Sequence, residues 1–132
     1  MSPQVKERIP VVIAEYDEVS RVIARRIADV IAERREAGGH AVLGLATGST
    51  PIGIYRELAR LHREEGLDFS DVVTFNLDEY FPMRPESIHS YNRYMWENLF
   101  DEIDVKPENV HVPRGDVPRE QIAAETAAYE QA

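Results

Sequence analysis

Two short polar stretches of this 132-residue chain carry residues whose types and spacing suit chemistry: Thr47-Gly48-Ser49-Thr50-Pro51 and Asn76-Leu77-Asp78-Glu79-Tyr80. In the first, Gly48 permits a tight turn and close approach by a ligand, Ser49 and Thr50 add hydroxyl donors, and Pro51 suits the first position of a helix. Free N–H groups and the positive end of the helix dipole then face the stretch, an arrangement that holds a phosphate. The competing use of these residues is helix capping by Ser49 or Thr50. No Gly-Lys-Ser/Thr follows, and Gly44 and Gly48 are the glycines available. The stretch therefore suits a phosphorylated small molecule better than a nucleotide.

In the second stretch two adjacent carboxylates end a hydrophobic run. Successive strand residues point to opposite faces, so one of Asp78 and Glu79 is expected to face a given pocket. A carboxylate partly desolvated beside a substrate has its pKa raised toward the range useful for proton transfer; helix capping plus a solvated charge is the competing use. No His, Cys or third carboxylate lies at ligand spacing nearby, and no metal is expected. His40 and His62 read as surface or helix-side residues and His111 as part of a short strand. His89 lies nearer the second stretch but is not expected to be the catalyst. Tyr91, Tyr94 and Trp96 have the spacing of a helix and read as core or interface, with Tyr91 placed to project its hydroxyl toward a ligand.

The pattern of apolar residues supplies the elements that would position these stretches. Ile9, Val11, Val12 and Ile13 read as a strand. After Asp17, a candidate N-cap, Val19, Val22, Ile23, Ile27, Val30 and Ile31 fall on one helical face, and Gly38-Gly39 ends that helix. Ala41 to Ala46 is apolar throughout, as in a strand buried on both faces. A helix bearing Ile54, Tyr55, Leu58, Leu61 and His62 on one side follows, closed by Gly66. A strand from Val72 to Leu77 comes next, then a helix from about Ser90 with Tyr91, Tyr94, Met95 and Leu99 as its stripe. Asn109 to Val112 can be a short strand, and Pro118 stands near the start of a last helix. Alternating strands and helices predict an α/β fold, Rossmann-like, with three α/β/α layers and a mainly parallel sheet. In such sheets ligands bind beyond the carboxyl ends of the strands, where both polar stretches fall.

Composition narrows the function further. With 15 Lys+Arg against 24 Asp+Glu, a net charge of −9 and no Cys, the chain lacks thiol chemistry and the basic footprint of a nucleic-acid or anionic-membrane binder. A length within the common range of about 100–150 residues predicts one domain over residues 1–132. No run approaches the ~20 apolar residues of a membrane span, and the N-terminus lacks the core of a signal peptide, so a cytoplasmic protein is expected. Glu120 to Ala132 is helix-like to its last residue, without a stop signal, as if a longer protein continued.

The blocks Leu43 to Pro51 (LGLATGSTP), Val72 to Tyr80 (VVTFNLDEY) and Ser90 to Pro113, in this order and spacing, closely resemble the N-terminal half of the glucosamine-6-phosphate deaminase (glucosamine-6-phosphate isomerase) family. The resemblance implies conversion of glucosamine 6-phosphate to fructose 6-phosphate and ammonia, with no cofactor. It implies that Thr47, Gly48, Ser49 and Thr50 hold the phosphate, that Asp78 is the base moving a proton between C2 and C1, that Glu79 shapes the substrate site, and that Tyr91 lies near the substrate. The family's second half, with its Asp-Gly-His loop and further acidic and basic residues, has no counterpart among these 132 residues. The chain thus resembles a truncated enzyme, inactive alone, whose exposed edge calls for a homo-oligomer or a C-terminal half. The alternatives are a non-catalytic sugar-phosphate-binding or regulatory domain and a 6-phosphogluconolactonase-like hydrolase.

Overall fold

The computed structural model describes residues 15–132, and the strand expected over Ile9–Ile13 lies outside the described residues. Helix α1 spans Tyr16–Glu36; Asp17 and Glu18 occupy its first turn and Arg34 and Arg35 its last, each sign complementing the helix dipole. The N-cap is Glu15 and not Asp17, because Tyr16 is already helical. Gly38, at φ +82°, reverses the chain just past the end. The buried line of α1 is Ser20, Ala24, Ala28 and Ile31, whereas Val22 and Ile23 of the expected apolar stripe are 55% and 39% exposed. Small residues win this face because α1 packs closely on the next helix: a Cβ on Gly53 would lie 2.4 Å from Ser20 Oγ.

Strand β1 (Val42–Leu45), helix α2 (Ile52–Glu65), strand β2 (Val73–Asn76), helix α3 (Tyr91–Asn98), strand β3 (Val110–His111) and helix α4 (Ile122–Glu130) follow in order. The sheet is parallel in the order β1-β2-β3, with Leu45 opposite Asn76 and Phe75 opposite His111. Gly66, at φ +73°, caps α2, and the Ser90 side chain caps α3 by accepting from the Arg93 amide. Helices α1, α2 and α3 share one hydrophobic cluster with β1, in which Leu58, Phe69 and Met95 are fully buried. Each such side chain removed from water contributes about 1.5–3 kcal/mol before entropy is subtracted. On β2, Thr74 and Asn76 are buried. Phe75 points to the opposite face, stacks on His111 and meets Tyr129 of α4 edge-on. The result is the parallel α/β arrangement, with α1–α3 on one face of the sheet and α4 on the other.

One expectation is corrected here. The apolar run Ala41–Ala46 is not buried on both faces, since Val42 is 58% exposed and Gly44 is exposed as well. Among the described residues β1 is paired on one side only, and α4 reaches the β2–β3 part of the second face without covering β1. No helix of the described residues is long and apolar enough to cross a membrane.

Candidate functional site

Because Leu45 and Asn76 are register partners in neighbouring parallel strands, the two polar stretches leave the sheet side by side. The Asn76 side-chain amide donates to the Leu45 carbonyl at 2.9 Å, tying the two strand ends together. An open groove of about 600 Å³ runs across them, lined by Thr47 from the first loop and Asp78 from the second, with Asn76 and Tyr129.

The first loop is held from beneath by tyrosines. Tyr55 of α2 donates to the Ala46 carbonyl, and Tyr94 of α3 donates to the Gly48 carbonyl. The Tyr16 hydroxyl lies 3.2 and 3.0 Å from the Ser49 and Thr50 carbonyls and accepts from the Gly53 amide at 2.7 Å. Burial pushes the Tyr55 and Tyr94 phenols up, so both stay protonated donors at neutral pH. Gly48, at φ +97°, makes the reversal that Thr47–Thr50 needs. Pro51 stands one residue earlier than expected, at the N-cap of α2, with helical φ and ψ and no side-chain cap bond. Neither Ser49 nor Thr50 caps α2, since the Gly53 amide goes to Tyr16 instead. Among the described residues, the amides of Gly48, Ser49 and Thr50 donate to no protein acceptor. Exposed unpaired N–H groups at a helix start are what an anion requires.

In the second loop the two carboxylates part. Glu79 turns back onto the start of α3, where its oxygens accept from Ser90 Oγ at 2.7 Å, from the Tyr91 and Asn92 amides at 2.9 and 3.1 Å, and from its neighbour Tyr80's amide at 2.9 Å. Asp78 is exposed, and among the described residues its carboxylate makes no hydrogen bond or ion pair. Partial desolvation, expected from its place at a strand end, is therefore not built into the folded chain and has to come from what binds there. Tyr91 reaches across: its hydroxyl meets that of Tyr80 at 3.0 Å, with the rings 4.7 Å apart. That hydrogen bond leads the causes holding the Tyr91 phenol above its ordinary value, and the Thr47 hydroxyl and the Asp78 charge also act on it, in opposite directions. Thr47, Asp78 and Tyr91 thus converge on one end of the sheet.

The histidines stay apart from this convergence. His62 Nδ1 is 2.6 Å from the Leu67 carbonyl, His111 stacks on Phe75, and His40 and His89 are exposed. Among the described residues no group of three or more His, Asp or Glu side chains could hold a metal ion. Sequence reasoning missed Tyr16 and Tyr129, whose hydroxyls hold backbone carbonyls at the site; Tyr129 donates to those of Asn76 and His111. The available signal for Tyr16 was Gly53, a glycine in the first turn of a helix where nothing local asks for one.

Comparison with known proteins bears on the family and the fold. The family profile described as glucosamine-6-phosphate isomerases/6-phosphogluconolactonase matches residues 14–132. Glucosamine-6-phosphate deaminase 2 of Giardia intestinalis is 52% identical over 103 residues, which are 78% of this chain and 38% of that protein. Glucosamine-6-phosphate deaminase 2 of Bacillus subtilis strain 168 is 44% identical over 121 residues, 91% of this chain and 46% of that protein. The chain therefore spans less than half the length of these curated relatives. The solved structure of a monomeric glucosamine-6-phosphate deaminase superposes with a TM-score of 0.83 at 43% identity, covering 90% of this chain and 47% of that one. A 6-phosphogluconolactonase from Thermotoga maritima shares the fold, with a TM-score of 0.70 at 22% identity.

Proposed function

We propose, because the chain belongs to the family of glucosamine-6-phosphate isomerases and 6-phosphogluconolactonases, that it is the substrate-binding and proton-transfer half of a glucosamine-6-phosphate deaminase. The observation that carries the reading is the groove in which Thr47 and Asp78 meet at the ends of neighbouring parallel strands. A phosphate seated on the amides and hydroxyls of Thr47–Thr50 places the carbon chain of an opened amino sugar toward the second loop. Asp78 takes the proton from C2, giving an enolamine, and returns it to C1. The resulting C2 imine takes up water and releases ammonia, leaving the ketose phosphate. Net, one water is consumed and one C–N bond is hydrolysed, without oxidant or metal. One carboxylate able to reach both carbons suffices for the proton shuttle. Glu79 serves this site by fixing the α3 start that carries Tyr91, and Tyr91 faces the substrate.

Residues 1–132 act as one α/β domain. The 132 residues contain no Asp-Gly-His sequence, and turnover by this chain alone is not expected. The exposure of Val22, Ile23 and Val42 supports a second copy or a C-terminal half as the partner that covers them. A phosphorylated, charged substrate supports a cytoplasmic place of work. The lactonase reading shares the family description, but its solved neighbours are similar in fold alone, and it ranks below the deaminase, the name that the similar curated relatives carry.

An amide NMR titration with glucosamine 6-phosphate, and with glucosamine as control, tests the reading without needing turnover. Saturable shifts at Gly48, Ser49 and Thr50 with the phosphorylated sugar alone are expected. A folded sample in which these amides ignore both sugars would sink it.

A further inference from the structure

We infer that Tyr16, Tyr55 and Tyr94 are positioning residues that set the direction of the loop's N–H groups and thereby its affinity for the phosphate group. The inference rests on the reading of Thr47–Thr50 as an anion site and adds to it the three side chains that shape that site from outside.

In a trans peptide the C=O and the following N–H lie in one plane and point in opposite directions. A group that holds a carbonyl therefore aims the next amide the other way. The Tyr55 hydroxyl holds the Ala46 carbonyl, which aims the Thr47 amide. Tyr94 holds the Gly48 carbonyl, which aims the Ser49 amide. Tyr16 is shared between the Ser49 carbonyl, where it aims the Thr50 amide, and the Thr50 carbonyl, which precedes Pro51 and is followed by no N–H. The hydroxyls come from α1, α2 and α3, which lie together on one face of the sheet, so the three amides point away from that helical layer, toward the open end.

The same contacts keep carbonyl oxygens out of the site, where they would repel a phosphate. Gly48 has no Cβ and sits at φ +97°, a conformation from which a peptide flip meets little local resistance. Without restraint the Gly48–Ser49 unit can present either its N–H or its C=O. Tyr16 does a second service: by accepting from the Gly53 amide at 2.7 Å it takes up one orphan donor of the α2 start. The N–H groups nearer the loop are left for the ligand. Gly53 is what admits it, since a Cβ there would come within 2.7 Å of the Tyr16 ring.

The test removes single hydroxyls with Tyr16→Phe and Tyr94→Phe in the 132-residue chain. Each is read by thermal midpoint, by 15N order parameters of residues 47–50 without ligand, and by titration with inorganic phosphate and with glucosamine 6-phosphate. We expect lower order parameters at Ser49 and Thr50 and a phosphate dissociation constant raised about fivefold or more, with the midpoint near that of the parent. Two folded variants with unchanged loop order and unchanged phosphate affinity would overturn the inference. If Tyr16→Phe fails to fold, Tyr94→Phe decides alone, because its half-buried ring is kept. A parent chain that binds no phosphate would overturn the anion-site reading itself. Loop order in the variants would still decide whether the tyrosines orient the peptides.

Discussion

Glu79 accepts three hydrogen bonds from the start of α3 and a fourth from the Tyr80 amide, and Asp78 beside it accepts none among the described residues, so neighbouring carboxylates of equal charge have opposite work. Replacing Glu79 by Gln turns one acceptor into a donor that faces N–H or O–H groups. Glu79→Gln should lower stability by about 1–2 kcal/mol in chemical denaturation. Asp78→Asn removes no contact with the described protein and should leave the denaturation midpoint unchanged. In a full-length counterpart the same change should cut turnover by at least about a hundredfold while phosphosugar binding persists, as for loss of a general base; turnover kept by Asp78→Asn refutes its assignment. Strand alternation led to the expectation that one of these carboxylates faces the pocket, but β2 ends at Asn76 and the pair lies in the loop beyond it, where the bonds of Glu79 to the α3 start separate them. Which of them goes to the helix could not be read from the sequence: Ser90 lies eleven positions further on, and its meeting with Glu79 is a tertiary event.

At the scale of elements, the start and stop signals were readable where the chemistry is local. Gly66 closes α2 and Ser90 opens α3 as the residue types predict. The buried face of α1 was not, because Val22 and Ile23 outrank Ser20 and Ala24 in hydrophobicity while close packing against Gly53 selects the smaller side chains. Gly53→Ala tests that packing. An alanine at a helical position ordinarily gains up to about 1 kcal/mol over glycine, yet here its Cβ would overlap Ser20 Oγ and the Tyr16 ring. A net loss of about 1–3 kcal/mol is expected, whereas Gly44→Ala, with nothing within 4 Å of the added Cβ, should be tolerated. The far end of α1 is joined to the turn before β2 by Arg35, whose Nε donates to Asp71 at 3.0 Å and whose Nη2 donates to the Asp68 carbonyl at 2.9 Å. The hydrogen bond from Arg35 holds the Asp71 carboxyl below its ordinary range. A carboxyl with a depressed folded pKa contributes stability that is full above its unfolded value and is lost as pH falls through the folded one. With the two side chains 39% and 36% exposed, that contribution is at most about 1 kcal/mol. Asp71→Asn should therefore be less stable than the parent at pH 7, the difference should hold down to the unfolded carboxyl value of about 4, and the two should converge as the pH falls further, through the lowered pKa of folded Asp71. A gap that keeps its pH 7 size as far down in pH as both proteins stay folded would assign the difference to packing and not to the ion pair.

For the molecule as a whole, the parallel α/β class was legible from the alternation of strands and helices, and the candidate site was looked for beyond the strand ends on that account. The uncovered surface was not, since an apolar strand reads alike whether or not something lies against it. Val42 is 58% exposed and Leu77 89%, and β1 is unpaired on its outer side among the described residues. Unpaired N–H and C=O groups beside exposed apolar side chains form a template for a further strand. Among the described residues nothing lies against that side of β1, and a second copy of this chain is one partner that could take it. A charge at the centre of that surface opposes self-pairing, because each copy would bury an unpaired cation against the other. Val42→Lys should weaken self-association at least about tenfold by sedimentation velocity, with little change in thermal midpoint, since the Val42 side chain is already largely in water. The phosphate loop lies beyond the other end of β1, and its titration with glucosamine 6-phosphate should not respond. If Val42→Lys self-associates as strongly as the parent, the contact does not run through β1 and the Leu77 end becomes the surface to charge next.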